Sequence, residues 1–361
     1  MTYDDIFADT PDNQFFKQIL HRVMKEELDP TDTNRAFTAI LNGNVSPIMT
    51  TAFLLALNMR GEQIQEIQCA SSVMKKHALK ISSPVGSIDI VGTGGDGKNT
   101  LNISTASALV TASTGVPVAK HGNRASSSKC GSADLLAGYG VKIDCNPKTT
   151  EEAIKHIGFG FMMAPLFHPS MKNVAKVRGM MGIRTIFNLL GPLTNPADVK
   201  YLLMGIFSSD WQLPIAQVLG KGDIKRAWIV HGEDGTDELS ATGATHVIEV
   251  KDGYISRFDV TPYDAGLTPV SEEDLHGGSI DDNVNALREL LMGKHSAFRT
   301  AVLFNVSAAL LISGVTHNLK DGVKIAEHAI DSGKAYKVLH KLTEYTNSDP
   351  YATVGNMEVK N

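Results

Sequence analysis

The sequence predicts an α/β protein: a small all-helical domain over residues 1–80, then a larger domain over 81–361 with a mostly parallel central sheet flanked by helices. Three observations carry this. The chain has 361 residues, above the single-domain range. Up to residue 80 its apolar residues recur only at helical spacing. From the linker-like Ser82-Ser83-Pro84-Val85-Gly86 onward, short β-rich runs alternate with helical ones, which implies parallel crossovers and a sheet covered on both faces.

In the first part, Phe15, Phe16, Ile19 and Leu20 share a helical face, and after the break at Asp29-Pro30 so do Ala36, Ile40 and Leu41, with Gly43 closing that helix. Ser46-Pro47 offers a capping hydroxyl and a proline at the first helical position, opening a helix through Met59. Gly61 separates it from a last helix ending near Leu79. No residue set with chemistry occurs here, so shape, hinge or dimer contact is the expected role.

The expected strands are Ile88 to Val91, Val116 to Ala119, Phe159 to Met163, Leu202 to Phe207, Ala227 to Val230 and Ala244 to Val250. In such sheets ligands sit beyond the carboxyl ends of strands. Three motifs fall at those ends. The first, Gly92-Thr93-Gly94-Gly95-Asp96-Gly97-Lys98, leads into a hydroxyl-rich helix start and reads as a phosphate cradle, because glycines let the backbone approach a ligand and free amides attract anions. Two other cradles are tested by it. Gly92, Gly94 and Gly97 fit the dinucleotide pattern, but no acid follows at the ribose position. Gly92, Gly97 and Lys98 begin a P-loop, but Asn99 stands where a hydroxyl should meet magnesium. From Gly97 to Ala133 no Asp or Glu occurs, where average composition gives about four, and Lys98, Lys120, His121, Arg124 and Lys129 fall in that stretch. A phosphate or diphosphate suits it.

The second motif, Lys120 to Asp134, gathers cations, an amide and hydroxyls in one loop before a helix beginning near Ser132; a ligand contact is expected of it. The third, His231 to Ser240, places four carboxylates in six residues, which repel unless solvated or shared by a cation; hard oxygen ligands point to Mg²⁺ bridging to substrate phosphates. Between them, Ser170 is expected to cap a helix on which Met171, Val174, Ala175 and Arg178 share a face; Arg178 there either meets an anion or keeps its head in water. Arg184 and Lys176 read as surface charges. Later, Glu272 to Gly278 reads as a loop, Ala301 to Leu311 as a buried helix, Asp321 to His340 as a terminal amphipathic helix, and the stretch from Thr343 as a polar tail.

Composition narrows the function classes. Apolar residues make up 42% and charged residues 20%, the proportions of a soluble globular protein. A net charge of −5 argues against a general nucleic-acid binder. The three cysteines lack metal or redox spacing and read as reduced thiols; no signal core and no run of ~18 apolar residues occurs, so a cytoplasmic protein without membrane attachment is expected.

The glycine turn Gly92 to Thr105, the loop Lys120 to Asp134, the segment His168 to Pro196 and the pair Asp237-Glu238 closely resemble the anthranilate phosphoribosyltransferases of tryptophan biosynthesis, over nearly the whole chain. The resemblance implies a helical domain joined by hinges to the α/β domain, residues 170–195 packing with the amino-terminal helices, and a homodimer through the small domains. It implies phosphoribosyl diphosphate binding by Gly92, Gly95, Asp96, Thr100, Asn102, Ile103, Ser104 and Thr105, by Lys120, His121, Gly122, Asn123, Arg124, Ala125, Ser126, Ser127 and Ser128, and by Ser132. Ser104, Asp237 and Glu238 match the metal positions, for two Mg²⁺ ions. Gly92, Asn123 and Arg178 match the anthranilate contacts, which would give Arg178 a carboxylate partner. Cys130 for serine, Thr236 before the acidic pair, and Val306-Ser307 after Asn305 depart from the family pattern without removing a ligand.

The reaction so implied is attack of the anthranilate amine on the anomeric carbon, releasing diphosphate with inversion. No general base is assigned; His121 is the one candidate, a structural role being equally consistent. Two other readings differ in observable ways. A pyrimidine nucleoside phosphorylase would carry a base-reading loop in place of Asn123-Arg124. A catalytically silent nucleic-acid binder would be basic and lack the acidic pair.

Overall fold

The computed structural model describes residues 10–125 and 128–353, which fall into two compact units. One joins the described part of Met1–Leu79 to Pro165–Pro196; the other joins Lys80–Ala164 to the described part of Ala197–Asn361.

Four helices open the helical unit: α1 (Pro11–Val23), α2 (Pro30–Asn42), α3 (Pro47–Arg60) and α4 (Ile64–His77). The first three start alike. Thr10, Asp29 and Ser46 each precede a proline and accept a first-turn amide with the side chain, which satisfies donors that a helix start otherwise leaves open. Gly43 ends α2 in the left-handed region at φ 77. Phe16, Phe53, Phe37 and Phe187 pack edge to face in series at 5.2, 5.8 and 5.8 Å between centroids. Phe187 comes from the second segment, so that segment completes this core. There the chain forms α8 (Ala164–Phe167), α9 (Lys172–Met181) and α10 (Phe187–Leu190). Ser170 does not cap α9. It lies inside a one-turn 3-10 helix, Pro169–Met171, that runs into α9, and Val174 and Val177 are the buried positions while Ala175 is exposed.

The α/β unit holds a seven-stranded sheet of β1 (Ile88–Gly92), β2 (Val118–Gly122), β3 (Phe159–Met163), β4 (Tyr201–Gly205), β5 (Arg226–Gly232), β6 (Thr245–Lys251) and β7 (Tyr254–Val260), ordered 3-2-1-4-5-6-7. The first five are parallel; β6 and β7 are antiparallel additions. This corrects two expectations. No helix separates β5 from β6, so that crossover is a hairpin-like return. And β7 is absent from the expected strands because four of its seven residues are exposed in succession, which hides the two-residue period. The Asp252-Gly253 turn before it, both residues left-handed at φ 48 and 83, is the hairpin signal that marks it.

Ile88, Ile90, Leu203, Trp228 and Val230 point into one core with α5 (Ile103–Ser113) and α13 (Ala297–Ile312), while the alternate residues Leu202, Met204, Ala227 and Ile229 are buried on the other face. There α11 (Gln212–Gly220) packs on β5 and β6, its Gln212 Nε2 donating to the carbonyls of Ile229 and His246 at 2.9 and 2.8 Å. The remaining helices are α6 (Ser132–Tyr139), α7 (Pro147–Ile157), α12 (Ile280–Leu291), α14 (Leu319–Asp331) and α15 (Lys334–Ser348). The single terminal helix expected over 321–340 is thus two, broken by Gly333 at φ 72, and residues from Thr343 continue α15 to Ser348 instead of trailing off.

Candidate active site

Strand order reverses between β1 and β4, so the loops after them diverge and leave a crevice at their carboxyl ends. The loop between β5 and β6 fills part of it. A Cβ on Gly205 at the end of β4 would lie 1.4 Å from the Asp237 carbonyl oxygen, and one on Gly92 would lie 2.4 Å from Asp237 Oδ2. Glycine at both strand ends is what lets the acidic loop settle there. The loop is held in shape by Asp234, which accepts from the Thr236 amide and the Ser240 and Thr242 hydroxyls at 3.0, 2.6 and 2.7 Å. Asn305 fixes its far end, accepting from Leu239 N–H and donating to Leu239 C=O at 3.0 and 3.1 Å.

After β1 the chain turns through Gly94, Gly95, Gly97 and Asn99, all left-handed, with φ between 51 and 77. Gly94 N–H donates to Asp237 Oδ2 at 2.7 Å, and Asp96 reaches back to the Asp237 N–H at 3.4 Å. Residues 99–101 then lie along 275–277: Leu101 N–H donates to Leu275 C=O, Gly277 N–H to Asn99 C=O, and Thr100 bridges to His276. Asn283 accepts from both the backbone and side-chain N–H of Asn102 at 3.1 and 3.0 Å. Helix α5 begins at Ile103, and its Ser104 N–H donates to Glu238 Oε1 at 3.0 Å. The amides expected to be open to an anion are thus held by the acidic pair: Asp237 on Gly94 and Glu238 on Ser104.

Lys120, fully buried on β2, donates to Ile90 C=O at 2.5 Å and Ser104 Oγ at 3.4 Å. Burial pushes its pKa down, against the pull of Asp89, Glu238 and Asp237. The acids respond in the opposite sense. Burial, then the proximity of Asp96, pushes buried Asp237 up to about 7; burial, then Asp237, pushes half-buried Glu238 up to about 8, with Lys120 opposing. The site therefore gathers more carboxylates than the single ammonium of Lys120 can pair. Its donors are hard oxygens, which fits a divalent ion such as Mg²⁺. Among the described residues no three His, Cys, Asp or Glu side chains form a closed metal cage.

The loop after β2 folds around Asp134, which accepts from Ala125 N–H at 2.8 Å, Gly131 N–H at 3.1 Å and Arg124 at 2.8 Å. Asn123 C=O receives the Ala133 N–H at 3.1 Å, and Ser132 opens α6. Gly122 faces the Phe161 ring, 2.7 Å from an added Cβ. Ser128 Oγ donates weakly to Cys130 C=O at 3.4 Å. His121 is buried, its N–H donating to Asp89 Oδ1 at 3.3 Å. Thr105 is buried in α5, and Gly95 lies in the glycine turn. Ser126 and Ser127 lie outside the described residues.

Hydrogen bonds thus connect Asp96, Ser104, Lys120, Asp237 and Glu238 around the ends of β1 and β2. Arg178 belongs to the helical unit, where its guanidinium donates to Asn188 Oδ1 at 3.3 Å and lies 5.5 Å from the Phe187 ring centre. Burial lowers its pKa, and no carboxylate among the described residues counters that shift. Sequence reasoning missed Asp89, Asp134, Asn283 and Asn305. Asp134 closes a quoted motif and is a Glu-like cap position three residues after Gly131, a signal that was present; the two asparagines act from distant helices and gave none.

A helical-bundle domain model of a glycosyl transferase family matches residues 14–78, and the α/β domain model of a glycosyl transferase family matches residues 85–336. An anthranilate phosphoribosyltransferase of Rhodospirillum rubrum is 50% identical over 315 residues, 87% of this chain and 91% of that protein. The crystal structure of anthranilate phosphoribosyltransferase from Thermus thermophilus superposes with a TM-score of 0.87 at 40% identity, covering 92% of this chain and 99% of that one. The Saccharomyces cerevisiae enzyme in complex with PRPP and Mg does so at 0.86 and 28% identity, covering 94% and 99%. With its fold, its two domains and its length accounted for by these relatives, the chain belongs to the anthranilate phosphoribosyltransferase family.

Proposed function

We propose that the crevice at β1 and β4 binds phosphoribosyl diphosphate with Mg²⁺ and that the chain transfers the phosphoribosyl group to anthranilate. The products are N-(5-phosphoribosyl)anthranilate and diphosphate, a step of tryptophan biosynthesis. One observation supports this best: the amides of Gly94 and Ser104 hold the carboxylates of Asp237 and Glu238, so amide donors that suit an anion and the acidic pair that would accompany a cation meet in one place. Gly92, Gly95, Asp96, Thr100, Asn102, Ile103, Ser104 and Thr105, with Lys120 to Ser128 and Ser132, would hold the diphosphate sugar, and Ser104, Asp237 and Glu238 two Mg²⁺ ions. Held there, Mg²⁺ would supply positive charge to balance what develops on the departing diphosphate.

The anthranilate nitrogen forms a bond to the anomeric carbon as the bond to diphosphate oxygen breaks, inverting that carbon. An aromatic amine is uncharged at pH 7, so attack needs no prior deprotonation. Amides of the glycine turn set against the leaving oxygens would favour the transition state over bound substrate, since negative charge on those oxygens grows as the bond lengthens. Arg178 would take the anthranilate carboxylate, its lack of an acidic partner among the described residues being the support, with Asn123 and the Gly92 backbone fixing orientation. His121, buried and tied through its backbone to Asp89, is assigned no proton transfer.

A homodimer through the helical unit is part of the proposal: Ile48, Leu55 and Met59 lie seven and four residues apart on α3, exposed by 50, 39 and 79%, a stripe for a second copy to cover. Cytoplasmic work suits the three free, buried cysteines. The test is to mix the protein with both substrates and Mg²⁺ and follow anthranilate fluorescence; a Mg²⁺-dependent loss supports the reading, and no loss at any enzyme concentration overturns it.

A further inference from the structure

Lys98 lies within the glycine turn, and its ammonium donates to Glu272 Oε1 at 3.0 Å. Its backbone N–H donates to Asp96 Oδ1 at 3.1 Å, and its Cε lies 3.3 Å from where a Gly235 Cβ would stand. One side chain thus spans three separate segments: the glycine turn, the acidic loop, and the short turn Glu273–Leu275 that receives residues 99–101. The turn needs such a tie. Gly94, Gly95, Gly97 and Asn99 are left-handed in six residues, and glycines have the most conformational freedom to lose. The charge environment supports it as well: Glu272 first, then Asp234 and Asp96, hold the ammonium above its usual pKa.

We infer that Lys98 is a positioning residue: by clasping Glu272 across Gly235 it holds the glycine turn in the shape that receives the diphosphate, without itself being a ligand. This deepens the proposed function and rests on it. The stem runs over the acidic loop and the charge is engaged by protein, so the effect passes through backbone order.

Steady-state kinetics of the full chain with Mg²⁺ test it. Lys98→Ala and Glu272→Ala should each raise the KM for phosphoribosyl diphosphate about three- to fivefold, the scale an exposed ion pair supplies, with kcat and the anthranilate KM within about twofold. The swap Lys98→Glu with Glu272→Lys should restore the KM. Hydrogen exchange of the amides from Gly94 to Leu101 should quicken in the single variants and slow again in the swap. An unchanged KM in Lys98→Ala overturns the inference, as does a swap worse than either single change, which would make Lys98 a diphosphate ligand. Should the unaltered protein turn over neither substrate, the functional reading fails, while the exchange measurement still decides whether the clasp orders the turn.

Discussion

The Glu238 carboxylate accepts the Ser104 amide proton at 3.0 Å, across 134 residues of chain. That bond joins the acidic loop to the start of α5, as the Gly94 amide on Asp237 joins it to the glycine turn. Anion seat and acidic pair are therefore one structure, built where two strands end in glycine.

Asp237→Asn with Glu238→Gln keeps the shape and removes the charge. Turnover at saturating Mg²⁺ should fall by on the order of 10²–10³, the loss typical of removing transition-state charge stabilisation. Undiminished turnover would remove the metal assignment.

Gly205→Ala places a methyl 1.4 Å from the Asp237 carbonyl, and backbone cannot yield as a flexible side chain can. Overpacking of this kind costs about 1–3 kcal/mol, to be read by urea unfolding, and Mg²⁺-dependent turnover should fall with it. Full stability and activity would show that the acidic loop does not rest there.

Arg178→Ala should raise the KM for anthranilate by about 10- to 100-fold, the worth of a charged hydrogen bond, and leave that for phosphoribosyl diphosphate nearly unchanged. An equal rise in both would contradict a carboxylate-binding role.

His168 is 3% exposed, and burial pushes its pKa down to about 4, with a hydrogen bond to the Thr194 backbone opposing. Between pH 6.5 and 4 the unfolded chain binds a proton that the folded one refuses, so stability is complete above 6.5 and falls as pH drops toward 4, by about 3 kcal/mol. Unfolding titrations should show that slope in the parent and lose it in His168→Gln; an identical slope in both would place its origin elsewhere.

The fold was legible where local chemistry decides it. Thr10, Asp29 and Ser46 cap helices next to prolines, and short apolar runs form the parallel strands. It was not legible where one face is solvated, as in β7, or where a single glycine divides a continuous amphipathic pattern, as at Gly333. The glycine turn and acidic pair stood out because their residues are contiguous. That the two touch, and that Asn283 and Asn305 brace them, depends on contacts 66 to 181 residues apart, which no local pattern encodes.

The most direct measurement is a crystal of the protein with phosphoribosyl diphosphate and Mn²⁺ in place of Mg²⁺, read by anomalous scattering. Diphosphate density along the amides from Gly94 to Ser104, with manganese peaks between it and Asp237 and Glu238, is the predicted result. Ligand and metal bound together elsewhere, with the crevice empty, would contradict the account.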